Sequence, residues 1–388
     1  MAAFCMGAGA TSRAVEQTPW ELLVYAGELP AANSPRCTDL EFKPYPPYPK
    51  QWWDLAWNSE QENTQQFQLL RQSRLLKESQ ARTHIGTPAI TPASIKSFLH
   101  KLNRQRNLAN IVTDGAIFSH INGNDAEAVG RVLDGLNIAA CLRDRHWVLS
   151  QLVAIGIESI ETKAIQIIAP NLRVSGASAA ATRKETVQLI HELLDEKSVR
   201  QAWRKTFTFE LTDAERPMQV PGTTQPVVRV LAKQVEHNLP LLKKAADFRN
   251  VSESEDLVKQ CQWFVTPGFE RTIETQFRSL AERRMAAVNL AVQLYRTDHH
   301  GDWPKALADL VPNYLSEVPA DPYGAKGQTV GYQIIAHGWP DGRDRPVVFV
   351  RSGTKEQIPA EPQAWWNQAG KKEVWQFRDL SSANKTSG

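Results

Sequence analysis

No run of about 18 apolar residues occurs in the chain, so no stretch is built to cross a membrane as a helix. The nearest candidate, 148–170, is interrupted by Glu158, Glu161 and Lys163, and predicts a buried helix instead. Cysteine is scarce. The four present, Cys5, Cys37, Cys141 and Cys261, lie far apart, show no paired metal spacing and require no disulfide. Cys141 falls within a helical apolar pattern and reads as a small core residue. An excess of one charge is missing too: 45 Lys plus Arg face 42 Asp plus Glu, a formal charge of +3. That balance argues against an electrostatically driven nucleic-acid binder. No Gly-x-Ser-x-Gly elbow, Walker loop, His-Glu-x-x-His pair or dinucleotide fingerprint is found. Gly7-Ala8-Gly9-Ala10 is glycine-rich but lacks a preceding strand and a lysine to meet a phosphate.

What is there reads as globular protein. Hydrophobic residues make up 42% and charged residues 22%, and 388 residues suffice for two or three domains with a buried core. Residues 1–58 form an irregular lead-in punctuated by Pro30, Pro35, Pro44, Pro46, Pro47 and Pro49, with Trp52, Trp53 and Trp57 directly after. The opening ten residues lack a basic region and a long apolar core, and Cys5 follows a poor lipoprotein box. They read equally as the stub of a longer signal, which leaves the compartment open.

From 59 to 268 the pattern predicts a helical body. Residues 60–83 are rich in helix formers, and Thr91-Pro92 gives an N-cap and a proline at the first position of a helix running to Ile121. Asn122-Gly123 closes it, Asn124 with Glu127 opens the next helix, and Asp144 is expected to cap a third that Pro170 ends. Two helices joined by so short a turn form a helical hairpin. It resembles a tetratricopeptide-type unit in architecture, without a second copy of that repeat. A hinge at 175–181 precedes a helix ending near Asp195, and 196–211 adds another. A helix from Val227 is expected to kink or break at Pro240 and restart after Ser252-Glu253-Ser254. The longest helix is expected over 269–298, with Arg284 interrupting its apolar stripe.

The stretch after it carries a recognisable layout: Leu294-Tyr295, His300-Gly301-Asp302-Trp303-Pro304, Leu307, Leu310, Tyr314-Leu315, Pro319, Asp321-Pro322-Tyr323-Gly324 and Gly331-Tyr332. It resembles the C-terminal part of the major pseudopilin of type II secretion systems, over about residues 280–353. Gly301 can stop the long helix, Pro319 and Pro322 fix torsions around Asp321, and Gly324 permits a reversal into a strand. Residues 330–335 and 347–351 have strand composition, so a small antiparallel sheet on the long helix is expected over 269–353, with a tail over 354–388. Pseudopilins begin with a long apolar anchoring helix that these residues do not contain, so filament formation does not carry over. A helical body with this module is similar to large sets of bacterial envelope proteins. That likeness implies the cell envelope or periplasm and no activity.

The expected fold is therefore mainly α: a multi-helix, helical-hairpin or solenoid-like body with a small α+β pseudopilin-like module. The expected function is a non-enzymatic scaffold or protein-interaction protein with a protein or peptide partner, no nucleic acid and no cofactor. Two alternatives stay open. Asp298, His299, His300 and Asp302 offer imidazoles and carboxylates to a metal or to an envelope hydrolase, although adjacent histidines at a helix end diverge. Trp52, Trp53, Trp365 and Trp366, with Trp375, would suit a glycan-binding module if they formed an open platform. His100 and His120 lie in helical segments without a ligand partner in sequence. Asp341 and Asp344 are expected at a hairpin tip, next to the competing Arg343 and Arg345. The calcium loop of pseudopilins would fall at 350–356, which holds two cations and one carboxylate, so calcium is not expected there.

Overall fold

The computed structural model describes residues 18–30, 48–79, 92–213, 225–248, 251–261, 266–335, 345–350 and 374–376. The fold is mainly α, with eleven α-helices and one three-stranded sheet among the described residues. No helix of the described residues is long and apolar enough to cross a membrane.

The lead-in expected to be irregular contains two helices. α1 (Pro19–Glu28) starts at Thr18, whose Oγ1 accepts the Glu21 amide while the Glu21 carboxylate accepts the Thr18 amide. Pro19 at the first helical position is thus a start signal. α2 (Lys50–Glu62) follows Pro49 and carries Trp52, Trp53 and Trp57. A single residue, Asn63, separates it from α3 (Thr64–Ser79). Asn63 N bonds to Ser59 O and Phe67 N to Asn63 O, so Asn63 joins the end of α2 to the start of α3.

α4 (Pro92–Ile121), α5 (Asp125–Arg143) and α6 (Val148–Ile168) make the central layer. Gly123, at φ +79°, allows the tight turn between α4 and α5, and Asn124 Oδ1 caps α5 by accepting the Glu127 amide. α5 is buried nearly all round, as a helix with neighbours on every side must be. Asp144 does not cap α6; it ends α5, and Trp147 precedes α6. The Trp147 carbonyl instead accepts the Ser150 hydroxyl at 2.7 Å.

α7 (Arg183–Leu194), α8 (Glu196–Asp213), α9 (Gln225–Ala245) and α10 (Val251–Lys259) lead to α11 (Thr266–Asp298). α9 passes Pro240 without ending, because Leu242 and Ala245 beyond it are fully buried. α10 begins one residue before Ser252 rather than after Ser254. Residues 279–294 of α11 are all buried, against α6 and α7. Arg284 interrupts the apolar stripe because its guanidinium binds the Glu196 carboxylate and, at 2.7 Å, the Ala320 carbonyl.

Gly301, at φ +99°, ends α11 by donating its amide to Arg296 O. After it, Leu307–Leu310 forms a single 3-10 turn with both leucines buried. β1 (Gly331–Ile335) pairs antiparallel with β2 (Arg345–Phe349), Gly331 opposite Phe349. A Cβ at 331 would collide with the Phe349 ring, which is why glycine stands there. Val348 and Val350 pack into the same cluster as Leu290 and Leu294 of α11. The region read as a tail supplies a third strand, β3 (Val374–Gln376), beside β2. Cys141 and Cys261 are buried thiols outside any disulfide; Cys5, Cys37, Gly7–Ala10, the Asp341–Asp344 tip and residues 351–356 lie outside the described residues, whereas Arg345 opens β2.

Candidate functional site

Three buried charge clusters tie the helices together. On α5, Asp134 receives Arg71 Nε at 2.9 Å and Arg74 Nε at 2.6 Å from α3. One turn earlier, Arg131 binds Glu60 of α2 and, at 2.9 Å, Glu127. Between α5, α6 and α11, Glu158 receives Arg143 Nη2 at 2.5 Å and the Ser279 hydroxyl at 2.8 Å, with Arg283 Nη1 at 3.5 Å. Burial pushes the Glu158 carboxyl up, but the two guanidiniums and Ser279 outweigh it and hold it below its ordinary range. At the α4–α5 turn, His120 Nδ1 meets Asp125 Oδ1 at 2.5 Å, and Asp125 Oδ2 accepts Arg173 Nε at 2.8 Å. These groups are spent on each other, as buried charges must be.

Glu161 differs. It is fully buried on α6, and its carboxyl fills the space that the missing Cβ of Gly135 leaves on α5. Oε1 lies 2.9 Å from Thr113 Oγ1, and Oε2 has no partner. Thr113 has one hydroxyl proton and lies 2.8 Å from Ala109 O. If that proton serves the carbonyl, the contact with Glu161 needs a proton from Glu161 itself. Burial agrees: with no cation in contact, it raises the carboxyl well above its ordinary value, and Asp134 and Asp114 add to the rise.

The open feature lies on the outer side of α3. A groove of about 730 Å³ is bounded by Glu60, Phe67, Arg71, Leu75, Glu127 and Arg131. The Arg131 guanidinium sits over the Phe67 ring at 4.0 Å and forms part of the floor. A Cβ at Gly115 would strike that guanidinium, so this glycine makes room for it. The groove's charges cancel: Arg71 and Arg131 against Glu60 and Glu127. Burial alone would loosen the proton of Arg131, but Glu60 and Glu127 more than restore it, so it stays a cation. Leu75 projects from the far end, 53% exposed. Such a surface offers apolar contact in a neutral frame.

The residues singled out in the sequence lie elsewhere. Asp298, His299, His300 and Asp302 are all exposed and do not converge. Asp298 takes Arg183 and the Tyr314 hydroxyl, each at 2.8 Å. His299 stacks on Tyr295 at 3.7 Å between ring centroids and contacts the Tyr295 carbonyl through Nδ1. Among the described residues no three His, Cys, Asp or Glu side chains gather as a metal would need. Trp52 is 4% exposed and stacks on Tyr48, and Trp53 packs edge-on to it and to Phe118. Trp365 and Trp366 lie outside the described residues, and Trp375 falls on β3. His100 is exposed near Glu28, whereas His120 has the partner, five residues on, that helical spacing hides. The groove was missed because 60–83 is rich in helix formers and reads simply as a helix; the signal available was Leu75, an apolar residue among polar neighbours.

No protein-family model, curated protein or solved structure matches the chain.

Proposed function

We propose that this protein is a non-enzymatic scaffold that holds an amphipathic helix of a protein partner in the α3 groove. The observation that carries the reading is the groove itself: an open, charge-neutral trough with Phe67 in its floor and Leu75 exposed at its end. Helix-in-groove recognition uses such surfaces, with apolar anchors at helical spacing giving the affinity. From Glu60 to Leu76 the trough follows about four and a half turns of helix, ~24 Å, enough for several anchors. Because the groove's charges already pair with one another, the bound face of the partner is apolar and uncharged.

The chain's long helix, its closing glycine turn and the strands packed on it we read as a pseudopilin-like module, and the cell envelope as the compartment. What supports this is the order α11, Gly301 turn, 3-10 turn, Asp321–Gly324 reversal and β1–β2 hairpin, in the layout of that family.

The test uses a synthetic helix with leucines at i, i+3, i+4 and i+7 and uncharged polar residues between them, titrated into the full chain. Saturable binding is expected, weakened at least ~10-fold, or about 1.4 kcal/mol, by Leu75→Glu. Equal binding to the native chain and this variant, or none to either, would remove the reading.

A further inference from the structure

Arg71 stands on the α3 wall of the groove, one turn from Phe67 and one turn from Leu75. Its guanidinium is held in place: Nε donates to Asp134 at 2.9 Å, and Nη2 lies where a Cβ on Gly130 would strike it. Nη2 reaches the Glu127 carboxylate only at 3.4 Å. Nη1, with two N–H groups, has no acceptor among the described residues, and the side chain is 34% exposed along the groove. Burial would loosen the proton, but Asp134 and Glu127 more than restore it, so the group stays a cation and a donor. The carboxylates of the groove are committed elsewhere. Each Glu60 oxygen accepts from Arg131, and Glu127 Oε1 accepts from Arg131 Nε at 2.9 Å. Gln68 and Gln72, exposed beside Arg71, carry as many donors as acceptors. The groove therefore pairs its charges yet keeps a surplus of donors, at one point between two apolar side chains.

The geometry points to Arg71 as the specificity-determining residue of the groove. It selects a partner helix that sets one uncharged acceptor, the side-chain carbonyl of a glutamine or asparagine, between two apolar anchors. This rests on the groove's being a helix-binding surface and adds one polar position to the partner's apolar face. A helix lying over Arg71 without an acceptor strips water from Nη1 and returns nothing for it, which counts against binding. A carboxylate fits less well than an amide: Asp134 and Glu127 already face this guanidinium, and a third negative charge would meet both. The spacing agrees. Phe67 and Leu75 lie ~12 Å apart along α3, and positions i and i+7 of a partner helix lie ~10.5 Å apart, with i+3 and i+4 between them. Apolar, donor, apolar reads the same in either direction, so the requirement holds for a parallel or an antiparallel partner.

The synthetic helix tests this, with its i+3 or its i+4 leucine replaced in turn by glutamine, methionine or glutamate and each peptide titrated into the full chain. Glutamine and methionine are close in length and shape, so their difference reads the acceptor. At one of the two positions the glutamine peptide is expected to bind about 10-fold tighter than the methionine peptide, and tighter than the glutamate peptide. Arg71→Lys keeps the charge and a donor for Asp134 but removes the planar fork that faces the groove. In that variant the glutamine preference is expected to fall to about twofold or less, a ratio that a general loss of stability does not move. Circular dichroism checks that the variant stays helical, and the comparison of peptides on the native chain stands without it. Methionine binding as tightly as glutamine at both positions, or a preference unchanged in Arg71→Lys, overturns the inference and leaves the groove reading standing. Glutamate binding tighter than glutamine overturns the choice of an uncharged acceptor. No binding by any peptide, the unsubstituted helix included, removes both readings.

Discussion

Replacing Glu161 by glutamine should change the pH dependence of stability in a way no surface carboxylate can match. Burial raises the folded carboxyl well above its ordinary value, with Gly135 beneath it and no cation in contact. In the unfolded chain it ionises near its ordinary value of 4.5. A raised folded value leaves stability unaffected below the unfolded value. It then costs stability as pH rises, because the unfolded chain releases a proton that the folded chain keeps. The loss is ~1.4 kcal/mol per pH unit until the folded value is passed. Glutamine has the same shape and donates to Thr113 through its amide, but it leaves a second N–H without a partner, at about 1–3 kcal/mol. Glu161→Gln is thus the less stable protein at pH 4 and gains on the native chain by ~1.4 kcal/mol for each unit above pH 4.5 inside the window. Urea denaturation followed by circular dichroism at pH 4, 5, 6 and 7 reads both curves, and every other titrating group cancels in their difference. Parallel curves from pH 5 to pH 7 would refute the argument and mean that Glu161 is ionised in the folded protein.

Other consequences can be checked with the same protein. Arg143→Met leaves Glu158 with only Arg283 as a more distant cation, and should cost about 3–5 kcal/mol in urea denaturation; a loss under 1 kcal/mol would mean the pair does not form. Burial pushes the Cys261 thiol up from 9.0 to about 11, so at pH 8 its thiolate is about 100-fold scarcer than in the unfolded chain. Iodoacetamide labelling of the Cys261 peptide should be slower in native protein by at least that factor, and a native rate equal to the unfolded one would contradict the burial. Melting in calcium and in chelator should give the same midpoint, since the 350–356 stretch offers one carboxylate against two cations. A rise of several degrees with calcium would show ligands recruited from elsewhere.

Helix signals were readable where local chemistry decides the outcome. Asn122-Gly123-Asn124 predicted both the stop of α4 and the start of α5, because a left-handed glycine and a capping amide need nothing from the rest of the fold. Gly301 marked the end of α11 for the same reason. The misreadings came from distance. Pro19 belongs to a helix whose face is completed by α3 and α4, where Ser73 Oγ donates to Pro19 O and Gln105 to Leu23 O. Asp144 looked like a cap until the Trp147 carbonyl and the Ser150 hydroxyl were seen to serve that end. β3 is three residues long and owes its place to β2. The candidate site was least legible of all. Its floor joins α3 to a cation on α5, and sequence periodicity within one helix carries no information about which charge another helix brings.

The distribution of charge explains why so polar a chain leaves a neutral groove. Arg71, Arg74, Arg131, Arg143 and Arg283 sit where helices meet, each facing a carboxylate from a different helix. Such pairs add little net stability over apolar contacts of equal volume, because desolvation offsets their attraction. They are costly to mismatch, however: Asp134 is held by two arginines of α3, Arg71 and Arg74, and a shift of α3 along α5 breaks at least one of these pairs. Pairing of this kind fixes register, and it exhausts the charge near the interface. Among the described side chains, what α3 shows to solvent is then glutamine, threonine and the apolar Leu75, with the aliphatic stems of Arg71 and Arg131 along the trough. A rigid register and a groove whose charges are already paired are the two properties the proposed helix-holding scaffold needs. Here one arrangement of arginines supplies both.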